Sequence, residues 1–304
     1  MSSAPAKIVR RDVDGVLLLD KPTGFTSNAA LQKARWLLRA KKAGHTGTLD
    51  PLASGLLPLC FGEATRFAQR LLDAPKAYLA TIRFGATTTT GDAEGEVRQT
   101  RPVAFARDDL EAVLRRFTGE LMQVPPMYSA LKVDGQPLYR LARAGEEVER
   151  APRRIVIHAL ECTGWQAPEA TVSVRCSKGT YVRVLAEDIG EALGCGAHLA
   201  ALRRTATGGF SLDGAVTLEV LAAMDEAGRL ALLRPAAELV ADMPRIVMEA
   251  DAARRFAHGQ GVPVAGRPDG EYAMFDGPRL LGIARVAAGM AQPSRVLPSA
   301  VAGA

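Results

Sequence analysis

The sequence predicts a mixed α/β (α+β) protein with a small β-rich module at its C-terminal end. Three observations carry this. Up to about Met243, short apolar runs alternate with stretches whose apolar residues recur at helical spacing. Beyond Met243, short apolar pieces lie between Gly and Pro residues, as in "EYAMFDGPRLLGIARV", the texture of short strands. The 304 residues, at ~150 per domain, give about two domains and ample chain for a core.

The elements follow in order. Residues 1–14 read as a flexible polar tail. "GVLLLDKP" is a short apolar run stopped by Pro22, hence a buried strand. "TSNAALQKARWLLRAKKAG" is a helix with Thr26 or Ser27 as N-cap and Gly44 beyond its end. "LLPLCFG" is a second buried strand, "EATRFAQRLLDAP" a helix stopped by Pro75, and "KAYLATIRFG" an alternating strand. "ATTTTGDAEGE" is a polar loop and "RDDLEAVLRRFTG" an amphipathic helix. Residues 124–154, with Pro-Pro, two Gly turns, two Tyr and six basic residues from Lys132 on, read as a surface insertion. "RRIVIHALECTGW" and "ATVSVRCSKG" form two strands joined by a short turn. "YVRVLAEDIGEALG" and "AHLAALRRTATGG" are expected as helices, as are roughly 217–240 and "ADAARRFAHGQ".

Composition narrows the function. The net charge is +5, and 30 of the 38 basic residues are Arg. Guanidinium groups bind phosphate in bidentate fashion and stack on bases, so a polyanionic partner such as RNA is favoured. Cys60, Cys162, Cys176 and Cys195 have no CxxC spacing, and His45, His158, His198 and His258 have no metal-ligand spacing. Metal: none is expected. GxGxxG, GxxxxGK[ST], HExxH and GxSxG are all missing, which removes support for hydride transfer, nucleotide hydrolysis and metal hydrolysis. The N-terminal "MSSAPAKIVRRD" lacks a signal-peptide apolar core and no apolar run reaches ~18 residues, so a cytoplasmic protein without membrane attachment is expected.

One stretch then stands out: "GHTGTLDPLASG", residues 44–55. Pro51 biases Asp50 toward extended backbone. Gly44, Gly47 and Gly55 permit positive φ or close backbone approach, and Thr46 and Thr48 can hydrogen-bond locally. Such a loop can present one carboxylate rigidly to a ligand. A plain structural turn is the competing reading, and composition does not choose between them.

The stretch "GHTGTLDPLASGLLPLCFGEATRF" resembles the catalytic motif of the TruB family of bacterial tRNA pseudouridine synthases. "LLLDKPTGFTSN" resembles the family's first motif, "KAYLATIRFGATTTTGDAEG" its Tyr-bearing motif, and "PPMYSALKVDGQPLYRLARAGEEVER" its RNA-gripping insertion. "CSKGTYVRVLAEDIGEALG" and "HLAALRRTATGGF" resemble its Arg and Leu motifs. The motifs stand in family order across roughly residues 15–210, and 244–304 resembles the PUA-like domain that follows. Arg66 is a departure, standing where the family more usually has Lys.

The resemblance implies a catalytic domain over 15–243, with a mixed, largely antiparallel sheet and a central cleft. It implies isomerisation of uridine-55 in the tRNA T loop to pseudouridine, without a cofactor. Asp50 is implied as the essential carboxylate, acting either as a nucleophile or as a base on a glycal-type intermediate. Ordinary glycoside hydrolases use two carboxylates, and no second acid lies in this loop. The base must flip out of its stack to react. Tyr78 is implied as its platform, with an inward core tyrosine as the alternative. Arg183 is implied as the partner that keeps Asp50 ionised, against a solvated helix Arg. Tyr181 and Leu202 are implied to line the pocket, His45 to meet displaced bases, and Lys21 to stand near the pocket rather than on the open surface. Lys132, Arg143, Arg66 and Arg203 are implied as outer RNA contacts. The expected partner is the tRNA T-arm stem-loop, bound by a monomer without guide RNA or obligatory protein. An RNA-folding chaperone with incidental chemistry is the alternative reading.

Overall fold

Nine strands form one sheet through most of the chain in this computed structural model, which describes residues 9–133 and 135–302. The apolar run Gly15–Lys21 is strand β1. Helix α1 (Ser27–Leu37) follows, with the Thr26 side chain capping the Ala29 N–H. β2 (Ala43–His45) and β3 (Ala53–Phe61) flank the glycine-rich loop. "EATRFAQRLLD" makes a 3-10 turn (Gly62–Phe67) and then α2 (Ala68–Asp73), which Pro75 stops. β4 (Lys76–Phe84) alternates buried and outward residues, as its pattern predicts. The expected polar loop holds a small hairpin, β5 (Ala86–Thr88) and β6 (Val97–Thr100). α3 (Arg107–Arg116) and β7 (Gly119–Gln123) lead into the insertion, which contains β8 (Lys132–Val133), β9 (Gln136–Pro137) and α4 (Leu138–Arg143).

β10 (Arg153–Gln166) and β11 (Glu169–Cys176) form the expected hairpin, and α5 (Val182–Ala192) the expected helix. The next segment corrects the sequence reading. "AHLAALRRTAT" is strand β12 (Ala197–Thr207), not a helix. Its Ala, Leu and Arg residues favour a helix locally. It lies between β3 and β4, however, and hydrogen-bonds to both, so tertiary pairing overrides propensity. β13 (Phe210–Ser211) turns back on it, and the stretch expected as one helix breaks into α6 (Leu218–Ala223), α7 (Glu226–Ala231) and a 3-10 turn (Ala236–Val240).

The sheet order is β1-β3-β12-β4-β11-β10-β7, with β2 added to β3 and β13 to β12. Only β3–β12 is parallel among these pairs, so the sheet is mixed and largely antiparallel, as expected. One apolar core lies on the side of α1, α3, α5 and α6, around Leu19, Leu57, Ile82 and Leu185.

A second sheet spans 245–296, in the order β14 (Arg245–Val247), β16 (Gly270–Asp276), β17 (Arg279–Ala287), β18 (Met290–Val296), β15 (Val262–Pro263). Helix α8 (Ala250–Ala257) precedes β15, and α9 (Pro298–Ala302) follows β18. This is the small β-rich module. Its core is continuous with the first domain, since Val16, Leu18, Leu56 and Cys60 belong to one cluster with Phe256, Met274 and Leu281. Burying each such large apolar side chain is worth about 1.5–3 kcal/mol, so the two parts stabilise one another.

The tail reading needs a correction. Residues 1–8 lie outside the described residues, but 9–14 do not form a free tail. Val13 is buried, the Arg11 N–H donates to the Arg39 carbonyl at 2.9 Å, and the Asp14 carboxylate accepts the Glu63 N–H at 2.6 Å. All four cysteines are free. Among the described residues no helix is long and apolar enough to cross a membrane.

Candidate active site

The loop between β2 and β3 is tied down along its length. Thr46 is fully buried, and both its N–H and its hydroxyl donate to the Pro58 carbonyl at 3.2 Å. The Ser27 hydroxyl accepts the Leu49 N–H at 2.7 Å and donates to the Leu49 carbonyl at 3.1 Å, clamping the loop to the first turn of α1. The Asp50 carbonyl accepts from Ala53 at 3.1 Å, and the Pro51 carbonyl from Gly24 at 2.8 Å. Gly55, at φ +99°, lies so close to β12 that a Cβ there would stand 2.3 Å from the Arg204 carbonyl oxygen. Gly47 also has positive φ, +137°, whereas Gly44 does not. Asp50 is therefore held by its neighbours, with its side chain 43% exposed.

Arg183, in the first turn of α5, meets this carboxylate. Its side chain is only 6% exposed, and its Nη2 lies 3.0 Å from Asp50 Oδ2. The same guanidinium donates to the carbonyls of Tyr128 at 2.7 Å and Thr90 at 3.0 Å, and its Nε stands 3.6 Å from Asp92 Oδ2. It is not a solvated helix arginine. Asp92 is itself 3% exposed, and its Oδ1 accepts from the Thr90 hydroxyl at 2.5 Å and the Glu94 N–H at 3.1 Å. Burial raises the Asp50 pKa above the ordinary carboxylate range, and Arg183 pulls it back down. The net direction is upward. The ion pair thus acts against burial rather than setting the titration alone.

Asp50, Tyr78, Tyr181, Arg183 and Leu202 line one cavity of about 330 Å³. Tyr78 projects from β4 and is buried, both packed in the core and facing the cavity. Burial raises its phenol pKa, while the nearby Arg204 guanidinium opposes the rise. Leu202 sits in register with Ala53 of β3 and Ala80 of β4, which fixes it at the cavity wall.

Lys21 and His45 stand outside that wall. Lys21 is fully buried, and its Nζ donates to the carbonyls of Pro22 at 2.8 Å and Phe25 at 2.6 Å. Burial pushes its pKa down to about 8, with the Asp50 charge resisting. His45 is half-buried, and burial followed by the Arg204 charge lowers its pKa, which favours the neutral imidazole. The remaining sequence candidates are scattered. Lys132 and Arg143 are exposed on the insertion, with Arg143 5.7 Å from the Tyr139 ring centre. Arg66 is exposed near the second module. Arg203 pairs with Asp20 at 2.6 Å.

Three cavity or second-layer residues were not singled out in the sequence. Arg204 is 1% exposed and donates to the Leu56 carbonyl at 2.7 Å and the Gly47 carbonyl at 3.3 Å, bracing the loop from beneath. Lys76 lines the cavity and donates to the carbonyls of Leu71, Leu72 and Ala74 at 2.6–3.1 Å, closing the C-terminal end of α2. Asp92 holds the far side of Arg183. The alternation of β12 carries a signal for Arg204, since a strand puts residues 202 and 204 on one face and 203 on the other.

A mixed sheet whose cleft holds the Asp50 carboxylate beside a buried arginine, with Tyr78 and Tyr181 on the same cavity, is built like an enzyme's active site. The family comparisons agree. Residues 35–182 match the N-terminal domain of the TruB family of pseudouridylate synthases, 183–241 the tRNA pseudouridylate synthase B C-terminal domain, and 244–297 the C-terminal domain of pseudouridine synthase II TruB. The chain belongs to the TruB family and is a pseudouridine synthase. It is 56% identical to the tRNA pseudouridine synthase B of Burkholderia lata, covering 98% of this chain and 95% of that one. It is also 56% identical to the protein of that name from Ralstonia nicotianae, covering 97% and 98%. Among solved structures it is similar to a chain of a Cbf5-Nop10-Gar1 complex, with a TM-score of 0.72 and 27% identity over 93% of this chain and 84% of that one. A chain of the archaeal box H/ACA sRNP Nop10-Cbf5 complex gives a TM-score of 0.72 and 25% identity over 98% and 91%.

Proposed function

We propose that this enzyme isomerises uridine-55 in the T loop of tRNA to pseudouridine, with Asp50 as the essential group. The observation that carries the reading is the Asp50–Arg183 pair, 3.0 Å apart, at a cavity walled by Tyr78, Tyr181 and Leu202. The similar proteins are named for tRNA, and this chain takes the same substrate class. In the reaction the N1–C1′ bond breaks, the uracil turns and C5 bonds to C1′; C5 then loses its proton and N1 gains one, so the product is an isomer.

A base inside the T loop reaches Asp50 only after flipping out, which costs a few kcal/mol. Stacking on Tyr78 is worth about 1–3 kcal/mol and offsets much of this. Arg183 favours the ionised form of Asp50, opposing the burial that raises its pKa, and fixes the direction of the carboxylate. The ionised carboxylate then serves at C1′ as a nucleophile, or takes a sugar proton as a base. The clamp leaves either role open. The insertion supplies phosphate contacts through Lys132 and Arg143, with Arg66 and Arg203 as further contacts. The chain acts as a cytoplasmic monomer without guide RNA. Incubation of unmodified tRNA with the pure protein alone, followed by pseudouridine mapping, tests the proposal. Product at position 55 is expected, and product elsewhere or none overturns it.

A further inference from the structure

The insertion supplies one part of the active cavity's wall, through Ser129, Ala130 and Leu131. The backbone there is fixed. The Ser129 N–H donates to the Met127 carbonyl at 2.9 Å, and the Ser129 carbonyl accepts the Tyr139 N–H of α4 at 3.1 Å. The preceding carbonyl, of Tyr128, accepts from Arg183, the partner of Asp50. Ser129 is 5% exposed. Tyr181, on the same cavity, is held as firmly: the Gln123 side chain donates to its carbonyl at 3.1 Å and accepts its N–H at 2.8 Å. Burial raises the pKa of the Tyr181 phenol, and the neighbouring Ser129 hydroxyl opposes the rise. Even so, the Ser129 hydroxyl has no well-formed hydrogen bond among the described residues.

Its polar neighbours on the wall are committed elsewhere. Lys76 serves three carbonyls, and Arg204 serves those of Leu56 and Gly47. The Thr180 hydroxyl donates to the Ser177 carbonyl at 3.0 Å, and the Ser177 hydroxyl accepts the Val156 N–H at 2.9 Å. A buried hydroxyl without a partner is costly to keep, and a substrate that brings an acceptor removes that cost. Uracil brings one twice. Turning the ring about the line from N3 to C6 exchanges N1 with C5 and O2 with O4. A carbonyl oxygen therefore fills the same place before and after the turn. Breaking the N1–C1′ bond leaves its electron pair on the base, and the charge spreads onto both oxygens. A donor fixed beside them acts most strongly at that stage.

We infer that the Ser129 hydroxyl donates a hydrogen bond to a uracil carbonyl oxygen and holds the detached base while it turns. This rests on the proposed reaction at Asp50. The test compares wild type with Ser129→Ala in single-turnover rate, RNA affinity and melting temperature. The rate is expected to fall roughly 10- to 100-fold, with affinity nearly unchanged because phosphate contacts dominate binding. The melting temperature is expected to hold or rise, since the variant loses a buried hydroxyl that had no partner. T-arm stem-loops carrying 2-thiouridine or 4-thiouridine at the target position then locate the contact, because sulfur is a weak acceptor. At least one is expected to slow wild type, and on that substrate Ser129→Ala shows little further loss. A variant rate within about twofold of wild type, losses that add on both thio substrates, or a slowed variant that also melts lower, overturns the inference. Failure of wild type to form pseudouridine in the unsubstituted RNA overturns the proposed function instead, and is read before any variant is compared.

Discussion

Arg183 stands between two carboxylates, with Asp50 at 3.0 Å on the cavity side and Asp92 at 3.6 Å behind it. Two backbone carbonyls, of Thr90 and Tyr128, complete its shell. A guanidinium with five donors fills this site, whereas an ammonium with three cannot span it. Arg183→Lys is therefore expected to stay folded but lose about 10²-fold in single-turnover rate, the scale of an ångström-sized misplacement. A rate within twofold of wild type would mean that charge alone, not the fork, positions Asp50.

Stacking and phosphate contact separate by salt. On the proposal that Tyr78 stacks under the flipped base, Tyr78→Ala is expected to lower the catalytic step and leave the salt dependence of binding unchanged. Charge reversal at the exposed Arg143 is expected to flatten the salt slope by about one unit. Equal changes in slope for both variants would remove the stacking role of Tyr78.

How far the sequence leads depends on where each residue's neighbours come from. Asp50 is legible because its loop is local: the glycines, Pro51 and Thr46 that shape it are within six residues. Thr26, as a cap, is legible for the same reason. Arg204 is not, because its partners, Leu56 and Gly47, lie about 150 residues away and reach it only when β12 enters the sheet. Reading "AHLAALRRTAT" as a helix hid the two-residue period that pairs Leu202 with Arg204. Asp92 lay in a stretch read as a polar loop, and nothing local shows that α5 delivers an arginine to it. Lys21 follows a strand, and its burial arises because the turn Pro22–Phe25 folds over it.

Glu187, one turn beyond Arg183 on α5, gives a pH-dependent term in stability. Burial, followed by the Asp188 charge, pushes its pKa up from 4.5 to about 7. Between those pH values the folded state holds more protons than the unfolded one, so this group lowers stability as pH rises. Glu187→Gln removes that loss. The variant's stability relative to wild type is expected to be higher at pH 8 than at pH 5, by a discounted part of the ~1.4 kcal/mol per pH unit ceiling, since the residue is partly exposed. Urea melts at both pH values measure it, and a difference independent of pH would contradict it.

Gly55 sits where β3 runs beside β12. Its φ of +99°, and the 2.3 Å that would separate a Cβ from the Arg204 carbonyl oxygen, leave no room for a side chain. Gly55→Ala is expected to destabilise the protein by about 3 kcal/mol or more, the strain and overpacking penalties adding. Gly44→Ala, with open space and no positive φ, should cost under about 1 kcal/mol. Thermal melts of the two variants side by side check the contrast; equal melting temperatures would contradict it.

Asp50, the carboxylate on the cavity side of Arg183, is the group proposed to perform the isomerisation. Asp50→Asn keeps the shape of the side chain and removes its charge. Its single-turnover rate on unmodified tRNA, measured beside its tRNA affinity, is the most direct test. The expected result is no detectable pseudouridine at position 55 with tRNA still bound; turnover at the wild-type rate, in protein shown free of wild-type chain, would contradict the account.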